Sequence, residues 1–82
     1  MEKISITVRI PAIDGTYDFI VPVNMSIRNA KSLMMKILNS EFGIPNDSTD
    51  AMLFDMSDNT VLRLECSFLQ LGIADGAKLL LI

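Results

Sequence analysis

Few side chains in this sequence could perform chemistry, and their spacing matches no common catalytic or metal-binding site. The chain has no histidine and one cysteine, which excludes a histidine-based triad, a histidine general base and a Cys–His zinc site. Cys66 follows Glu65, and no base or basic neighbour in the sequence would activate its thiol. We therefore expect a structural role for Cys66, and neither enzymatic activity nor a bound cofactor.

Four carboxylates around residues 47–58 are the remaining candidates for a metal site. They belong to Asp47, Asp50, Asp55 and Asp58. Their spacing does not match an EF-hand calcium loop, and no glycine stands where the turn of that loop requires one. We expect these residues to form a solvated acidic rim and no metal site.

Size and composition favour a small binding module over an enzyme. A chain of 82 residues has room for one domain, which we place at residues 1–82. Half of the residues are hydrophobic, which argues against disorder, and the formal net charge of −3 argues against binding to nucleic acid. The longest apolar run, Leu79–Ile82, is far shorter than the ~20 residues of a membrane span. With one cysteine and no recognisable signal peptide, a cytoplasmic location is expected.

A β-hairpin is predicted at the start of the chain. Apolar and polar residues alternate over residues 3–10, which is typical of a strand with one buried face. Asp14 and Gly15 form a dipeptide that is common in tight turns. A second strand follows over residues 16–21. Its inward side chains are Tyr17, Phe19 and Val21, and Ile20 lies on the other face.

A helix is predicted over residues 26–42. Ser26 is a suitable N-cap, and Gly43 can take the left-handed conformation that ends a helix. Lys31 is expected at the edge of the buried stripe, with its charge in water. That apolar stripe consists of Ile27, Ala30, Leu33, Met34, Ile37 and Leu38.

The second half of the chain predicts short strands. A third strand is expected over residues 51–56, a fourth over 61–64, one helical turn over 66–71 and a final apolar strand over 78–82. In the third strand, we expect Leu53 to face outward. The inward side chains would be Met52, Phe54 and Met56.

This order of elements favours an α+β fold of the β-grasp type, in which a mixed sheet packs on one helix. The first and last strands would lie side by side and parallel, and the helix would form part of their crossover. A ferredoxin-like topology requires a second full helix between strands, and residues 65–72 are too few to supply one.

The sequence resembles ubiquitin and its relatives over nearly its full length. The residues that carry this resemblance are Ser26–Lys31, Gly43–Pro45 and Phe68–Ile82. The helix is about four residues longer than in ubiquitin, roughly one extra turn. Ubiquitin also ends in a tail with paired glycines, whose carboxylate is joined to amines. This sequence stops at Ile82, so we expect no such conjugation, and a modifier or sulfur-carrier role would require that glycine pair.

Within that superfamily, the sequence is most similar to the YukD/EsaB family of bacterial type VII (WXG100) secretion systems. The similar residues are Gly15–Asp18, Val21–Pro22, Ile73–Gly76 and Leu79–Ile82. The resemblance implies a cytoplasmic accessory or regulatory component that is not an enzyme. Related domains also occur fused to the membrane channel subunit of mycobacterial-type systems. A ubiquitin-like adaptor domain unrelated to secretion is the alternative.

The sheet face turned away from the helix is the candidate site for binding proteins. The residues expected there are Leu53, Leu80, Ile82, Ile13 and Ile20. In ubiquitin, the matching positions of the third and last strands form the main docking patch. Grouped aliphatic residues on this face would indicate a partner site, whereas scattered or partly covered ones would be ordinary surface. Secretion-machinery proteins are the expected partners, and the chain itself would be a monomer or a weak homodimer.

Overall fold

A computed structural model describes residues 2–44 and 51–82. Two members of the predicted acidic rim, Asp47 and Asp50, lie outside these residues. The elements are β1 (Lys3–Ile10), a 3-10 turn (Pro11–Ile13), β2 (Gly15–Pro22), α1 (Ile27–Phe42), β3 (Leu53–Asp55), β4 (Thr60–Val61) and β5 (Ala77–Leu81). No helix in these two ranges is long and apolar enough to span a bilayer.

The first and last strands lie side by side at the centre of the sheet, as the β-grasp prediction requires. The strand order is β2-β1-β5-β3-β4, and β1 pairs with β5 in parallel, with Val8 opposite Leu79. The alternation along β1 is also confirmed, because every second side chain of this strand is buried. The buried side chains are Ile4, Ile6, Val8 and Ile10.

Helix α1 begins and ends where its capping residues predict. The Ser26 hydroxyl accepts a hydrogen bond from the Asn29 amide at 3.2 Å. At the other end Gly43 has a φ of +69°, and its amide donates to the Asn39 carbonyl at 3.1 Å. The Ile44 amide also donates to the Leu38 carbonyl at 3.4 Å, so the chain folds back over the last turn of the helix after Gly43.

The buried side of α1 is rotated from the predicted stripe. It consists of Ile27, Ala30, Lys31, Met34, Met35 and Leu38. Leu33, predicted to be buried, is 47 % exposed. The prediction that the charge of Lys31 lies in water is wrong, because its ammonium donates to the Ala51 carbonyl at 3.0 Å. A hydrogen-bonded ammonium on a long stem can occupy this position.

The predicted facing of the third strand is wrong. Leu53 is 1 % exposed and lies opposite Leu81 in the core, whereas Met52 and Met56 are exposed. Asp55 shares the inner face with Leu53, since successive side chains alternate. Its carboxylate accepts hydrogen bonds from the Ser57 amide and hydroxyl at 3.0 and 2.8 Å. Because Asp55 lies on the inner face at the end of β3, the position of this polar residue in the sequence suggests the opposite facing for the whole strand.

Two other predicted elements differ in detail. The hairpin turn is formed by Pro11–Ile13 and Asp14, which has a left-handed φ of 51°, and Gly15 is already part of β2. The fourth strand is shorter than predicted and begins one residue earlier. Residues 68–72 form turns, and the Leu71 amide donates to the Ser67 carbonyl at 3.1 Å, which is the hydrogen bond of the predicted single helical turn.

Tyr17 joins the start of β2 to the end of α1. Its hydroxyl donates a hydrogen bond to the Glu41 carboxylate, and its ring meets that of Phe42 edge-on at 6.0 Å. The ring of Phe19 stacks on that of Tyr17, with 5.5 Å between the ring centres. The hydrogen bond to Glu41 is the main cause that raises the pKa of Tyr17, because it stabilises the neutral phenol.

The burial of Leu53 predicts a large loss of stability on truncation. Leu53→Ala should lower the free energy of unfolding by about 2–5 kcal/mol, because it leaves a cavity in the core. Met52→Ala, at the neighbouring exposed position, should cost under about 1 kcal/mol. Urea denaturation of both variants measures the difference. Equal losses would contradict the inner position of Leu53.

The Tyr17–Glu41 hydrogen bond predicts an unusual titration. Tyr17 is the one tyrosine of the chain, so ultraviolet absorbance reports its ionisation alone. Its midpoint should lie above the ordinary value of about 10, and Glu41→Gln should move it back toward that value. The stabilisation by this hydrogen bond should be full below the unfolded pKa and disappear as the pH rises through the folded pKa. Identical midpoints in both proteins would rule the interaction out.

Candidate functional site: an apolar strip on the outer sheet face

Three strands place apolar side chains in a row on the sheet face away from α1. Phe54 lies opposite Leu80 in the pair of β3 and β5, and opposite Val61 in the pair of β3 and β4. Residues directly opposite one another in antiparallel strands point to the same face. Because Leu53 and Leu81 point into the core, Phe54, Val61 and Leu80 must point outward.

The row continues beyond the ends of β3 and β5. Met52 and Ile82 exchange both backbone hydrogen bonds, at 2.6 and 3.0 Å, so they too lie opposite one another. Each lies two residues from a member of the row and therefore shares its face. We call the five residues Met52, Phe54, Val61, Leu80 and Ile82 the outer strip.

The outer strip is only partly exposed to solvent. Ile82 is 56 % exposed, and Met52 and Val61 are nearly as open, whereas Phe54 and Leu80 are half-buried by their neighbours. These residues are adjacent across three strands. They therefore form a continuous apolar surface and not isolated aliphatic residues, which is the arrangement that marks binding sites.

Basic residues border the outer strip on the side of β1. Arg9 lies beside Leu80 in the parallel register, and Lys78 precedes Leu80 by two positions on the same face. The Arg9 guanidinium is 3.6 Å from the carboxylate of Asp14, and the Asp14 side chain is almost fully exposed while that of Arg9 is about half-exposed. Such exposed pairs are weak, so Arg9 can exchange Asp14 for another carboxylate at little cost.

The structure brings together only part of the set predicted from the sequence. Leu80 and Ile82 belong to the outer strip, and Leu53 does not, because it is in the core. Ile20 lies on the outer face opposite Ser5, but polar residues of β1 and β5 separate it from Leu80. Ile13, in the 3-10 turn, is half-buried against the core.

Sequence reasoning missed Met52, Phe54 and Val61. The signal that could have found the first two is the apolar composition of residues 51–56, in which only Asp55 is polar. Such a segment supports either facing, so Asp55 alone cannot decide between them. Val61 follows a turn in which Asp58 accepts hydrogen bonds from the Thr60 amide and hydroxyl at 3.2 and 2.7 Å. This turn directs Val61 back beside Phe54.

The side chains in and around the outer strip are suited to contacts with a partner and do not form a metal-ligand cluster within the described residues. Within residues 2–44 and 51–82, no three cysteine or acidic side chains come together as ligands for a metal ion. Cys66 is a half-buried free thiol outside the strip. The surface therefore offers apolar contact and two basic groups.

The structure is similar to several solved ubiquitin-like proteins. The EccD5 ubiquitin-like domain from Mycobacterium xenopi matches with a TM-score of 0.77 and 19% identity, over 100% of this chain and 94% of that one. The ubiquitin of Caldiarchaeum subterraneum gives 0.69 and 20%, over 99% and 92%. A designed protein based on ubiquitin gives 0.68 and 18%, over 98% and 87%.

No protein-family model matches this sequence, and no curated protein does. At these identities the structural likeness concerns the fold. This likeness extends over nearly the full length of the chain. It agrees with the observed strand order, with the central parallel pair of strands and with the single described helix. The chain therefore has the ubiquitin-like β-grasp fold, with a mixed five-stranded sheet packed on one helix.

Proposed function

We propose that this chain is a ubiquitin-like protein-interaction module that binds partner proteins through the outer strip. The observation that carries the proposal is the continuity of the strip across β3, β4 and β5 on an otherwise well-packed sheet. Covering a Val, Leu or Ile side chain completely is worth about 1.5–3 kcal/mol. Half-exposed residues such as Val61 and Ile82 would therefore each contribute about 1 kcal/mol to binding.

The strip alone is too small for a stable interface, so its borders must take part. A typical specific interface covers about 800 Å² on each partner, from some 20–30 residues. A partner that extends from the strip toward β1 meets Arg9 and Lys78. We therefore propose a partner surface with an apolar centre and acidic residues on the side that faces β1.

We further propose that the module is an accessory or regulatory component of a bacterial type VII (WXG100) secretion system and acts in the cytoplasm. Two features support this role. One is the resemblance to the YukD/EsaB family in Gly15–Asp18 and Ile73–Gly76. The other is the likeness, over the whole chain, to a mycobacterial ubiquitin-like domain.

A ubiquitin-like adaptor unrelated to secretion is the second candidate function. The structural likeness to the ubiquitin of Caldiarchaeum subterraneum supports this second candidate, because that protein has the same fold and its name does not connect it with secretion. Gene neighbourhood separates the two. Genes for WXG100 proteins and a membrane ATPase beside this gene would support the secretion role, and their absence would favour the adaptor.

The outer strip predicts that an acidic substitution weakens partner binding strongly without unfolding the protein. Val61→Asp and Ile82→Asp should each weaken binding by about tenfold or more, because a charge would be buried against an apolar partner. Both positions are about half-exposed, so the melting temperature should change little. Calorimetry with the soluble secretion components encoded beside the gene measures the affinity.

Leu69→Asp is the matched control, because Leu69 is at least as exposed as Val61 and Ile82 but lies in the turns outside the strip. It should bind like the original protein. Normal binding by both strip variants would remove the strip as the site. Loss of concentration-dependent self-association in these variants, with no partner bound, would mean that the strip forms a homodimer.

A further inference from the structure

The chain carries six methionines, whose thioether side chains can be oxidised to sulfoxides. The amino-terminal methionine lies outside the described residues. Among the others, Met34 and Met35 are buried in the core, and Met25 is half-buried against it. Met52 and Met56 are 43 % and 44 % exposed. An oxidant in solution therefore reaches the sulfur atoms of these two residues before those in the core.

Backbone hydrogen bonds fix the position of Met52 in the outer strip. Its amide donates to the Ile82 carbonyl at 2.6 Å, and its carbonyl accepts from the Ile82 amide at 3.0 Å. The Met52 side chain therefore lies beside that of Ile82, on the same face as Phe54 two residues along the chain. None of these hydrogen bonds involves the sulfur atom. Oxidation of Met52 would thus alter the surface and leave the strand pairing intact.

Met56 has the same exposure as Met52 but different surroundings. It lies in the turn after β3, and its amide donates to the Lys78 carbonyl at 3.0 Å. Asp55, Ser57 and Lys78 line a surface pocket together with Met56. A sulfoxide at this position would have polar groups and water around it. Met56 is therefore a matched internal comparison for Met52, equally open to an oxidant but outside the outer strip.

Oxidation at Met52 would introduce the first polar side chain into the outer strip. A sulfoxide is polar and accepts hydrogen bonds, whereas the thioether is apolar. The other members of the strip have hydrocarbon side chains, and they are Phe54, Val61, Leu80 and Ile82. A partner that covers the strip with apolar side chains would leave the sulfoxide oxygen without a hydrogen bond. Burial of an unpaired polar group costs free energy, so the sulfoxide weakens binding.

We propose that Met52 is a reversible oxidation site, at which a peroxide lowers the affinity of the outer strip for its protein partner. This inference rests on the function proposed for the strip. In the reaction, the Met52 sulfur attacks one oxygen of hydrogen peroxide, so that an S–O bond forms and the O–O bond breaks. The sulfur is oxidised by two electrons. The other oxygen takes up the proton of the transferred hydroxyl group and leaves as water.

Cys66 carries a second kind of sulfur atom that a peroxide can oxidise. Its free thiol is half-buried and lies outside the outer strip, and its carbonyl accepts a hydrogen bond from the Ile27 amide at 2.8 Å. A thiol reagent alone reduces a cysteine sulfenic acid or disulfide. A methionine sulfoxide instead needs a sulfoxide reductase. The two kinds of oxidation can therefore be separated by the conditions that reverse them.

Two variants that each keep one exposed methionine test the proposal. Met56→Leu retains Met52, and Met52→Leu retains Met56, and leucine has a volume similar to that of methionine. Brief treatment with dilute hydrogen peroxide should give a sulfoxide at the retained exposed methionine, which peptide mass mapping locates. Met34 and Met35 should stay unoxidised because they are buried, and the melting temperature should change little.

Calorimetry with the soluble secretion components encoded beside the gene then measures affinity before and after treatment. Oxidised Met56→Leu should bind about tenfold more weakly than its untreated form, and oxidised Met52→Leu within about twofold of its own. Both variants keep the amino-terminal methionine and Cys66, so oxidation of those residues does not explain the difference. Sulfoxide reductases for both epimers, supplied with a dithiol, should restore binding, because the oxygen leaves as water and the dithiol becomes a disulfide. The dithiol alone should not restore it.

The possible failures have distinct meanings. Unchanged affinity after oxidation of Met52, in a protein that binds when untreated, would overturn this inference and leave the outer strip as the binding site. An equal loss in both variants would overturn it too, because the effect would not depend on the strip. Recovery with the dithiol alone would assign the effect to Cys66. Absence of binding by the untreated original protein would overturn the proposed function and this inference together.

Discussion

The pairing of Leu53 with Leu81 is the contact on which the rest of the sheet depends. It joins β3 to β5 in the register that directs both leucines into the core. Because side chains alternate along a strand, a shift of one residue would bring Phe54 into the core and expose Leu53. The central position of β5 beside β1 fixes this register further, since Val8 and Leu79 are both fully buried.

The outer strip is a consequence of how the core is filled. Placing Leu53 inward leaves Phe54, Val61 and Leu80 together on the outer face. Turning α1 so that Met35 is buried leaves Leu33 exposed beside an apolar groove between α1 and β2. Several apolar residues that the core does not use therefore lie together, whereas Phe42, Met56 and Leu69 are exposed elsewhere on the surface.

The sequence predicts the elements with strong local signals, and it fails where local signals conflict. The period-two pattern of β1 and the caps of α1 at Ser26 and Gly43 are confirmed, because each depends on interactions between nearby residues. The facing of β3 depends on its pairing with β5, which no local pattern contains. Asp55 suggests the wrong facing from the sequence, because its polar side chain lies on the inner face, where its carboxylate accepts hydrogen bonds from the Ser57 amide and hydroxyl.

The most direct test of the account is the solvent exposure of individual methyl groups in solution. A soluble paramagnetic gadolinium chelate weakens the nuclear magnetic resonance signals of exposed methyls and spares those in the core. The signals of Leu53 and Leu81 should persist, while those of Val61 and Ile82 should fade at low chelate concentration. Fading of Leu53 together with Ile82 would place Leu53 on the outer face and contradict the register from which the outer strip follows.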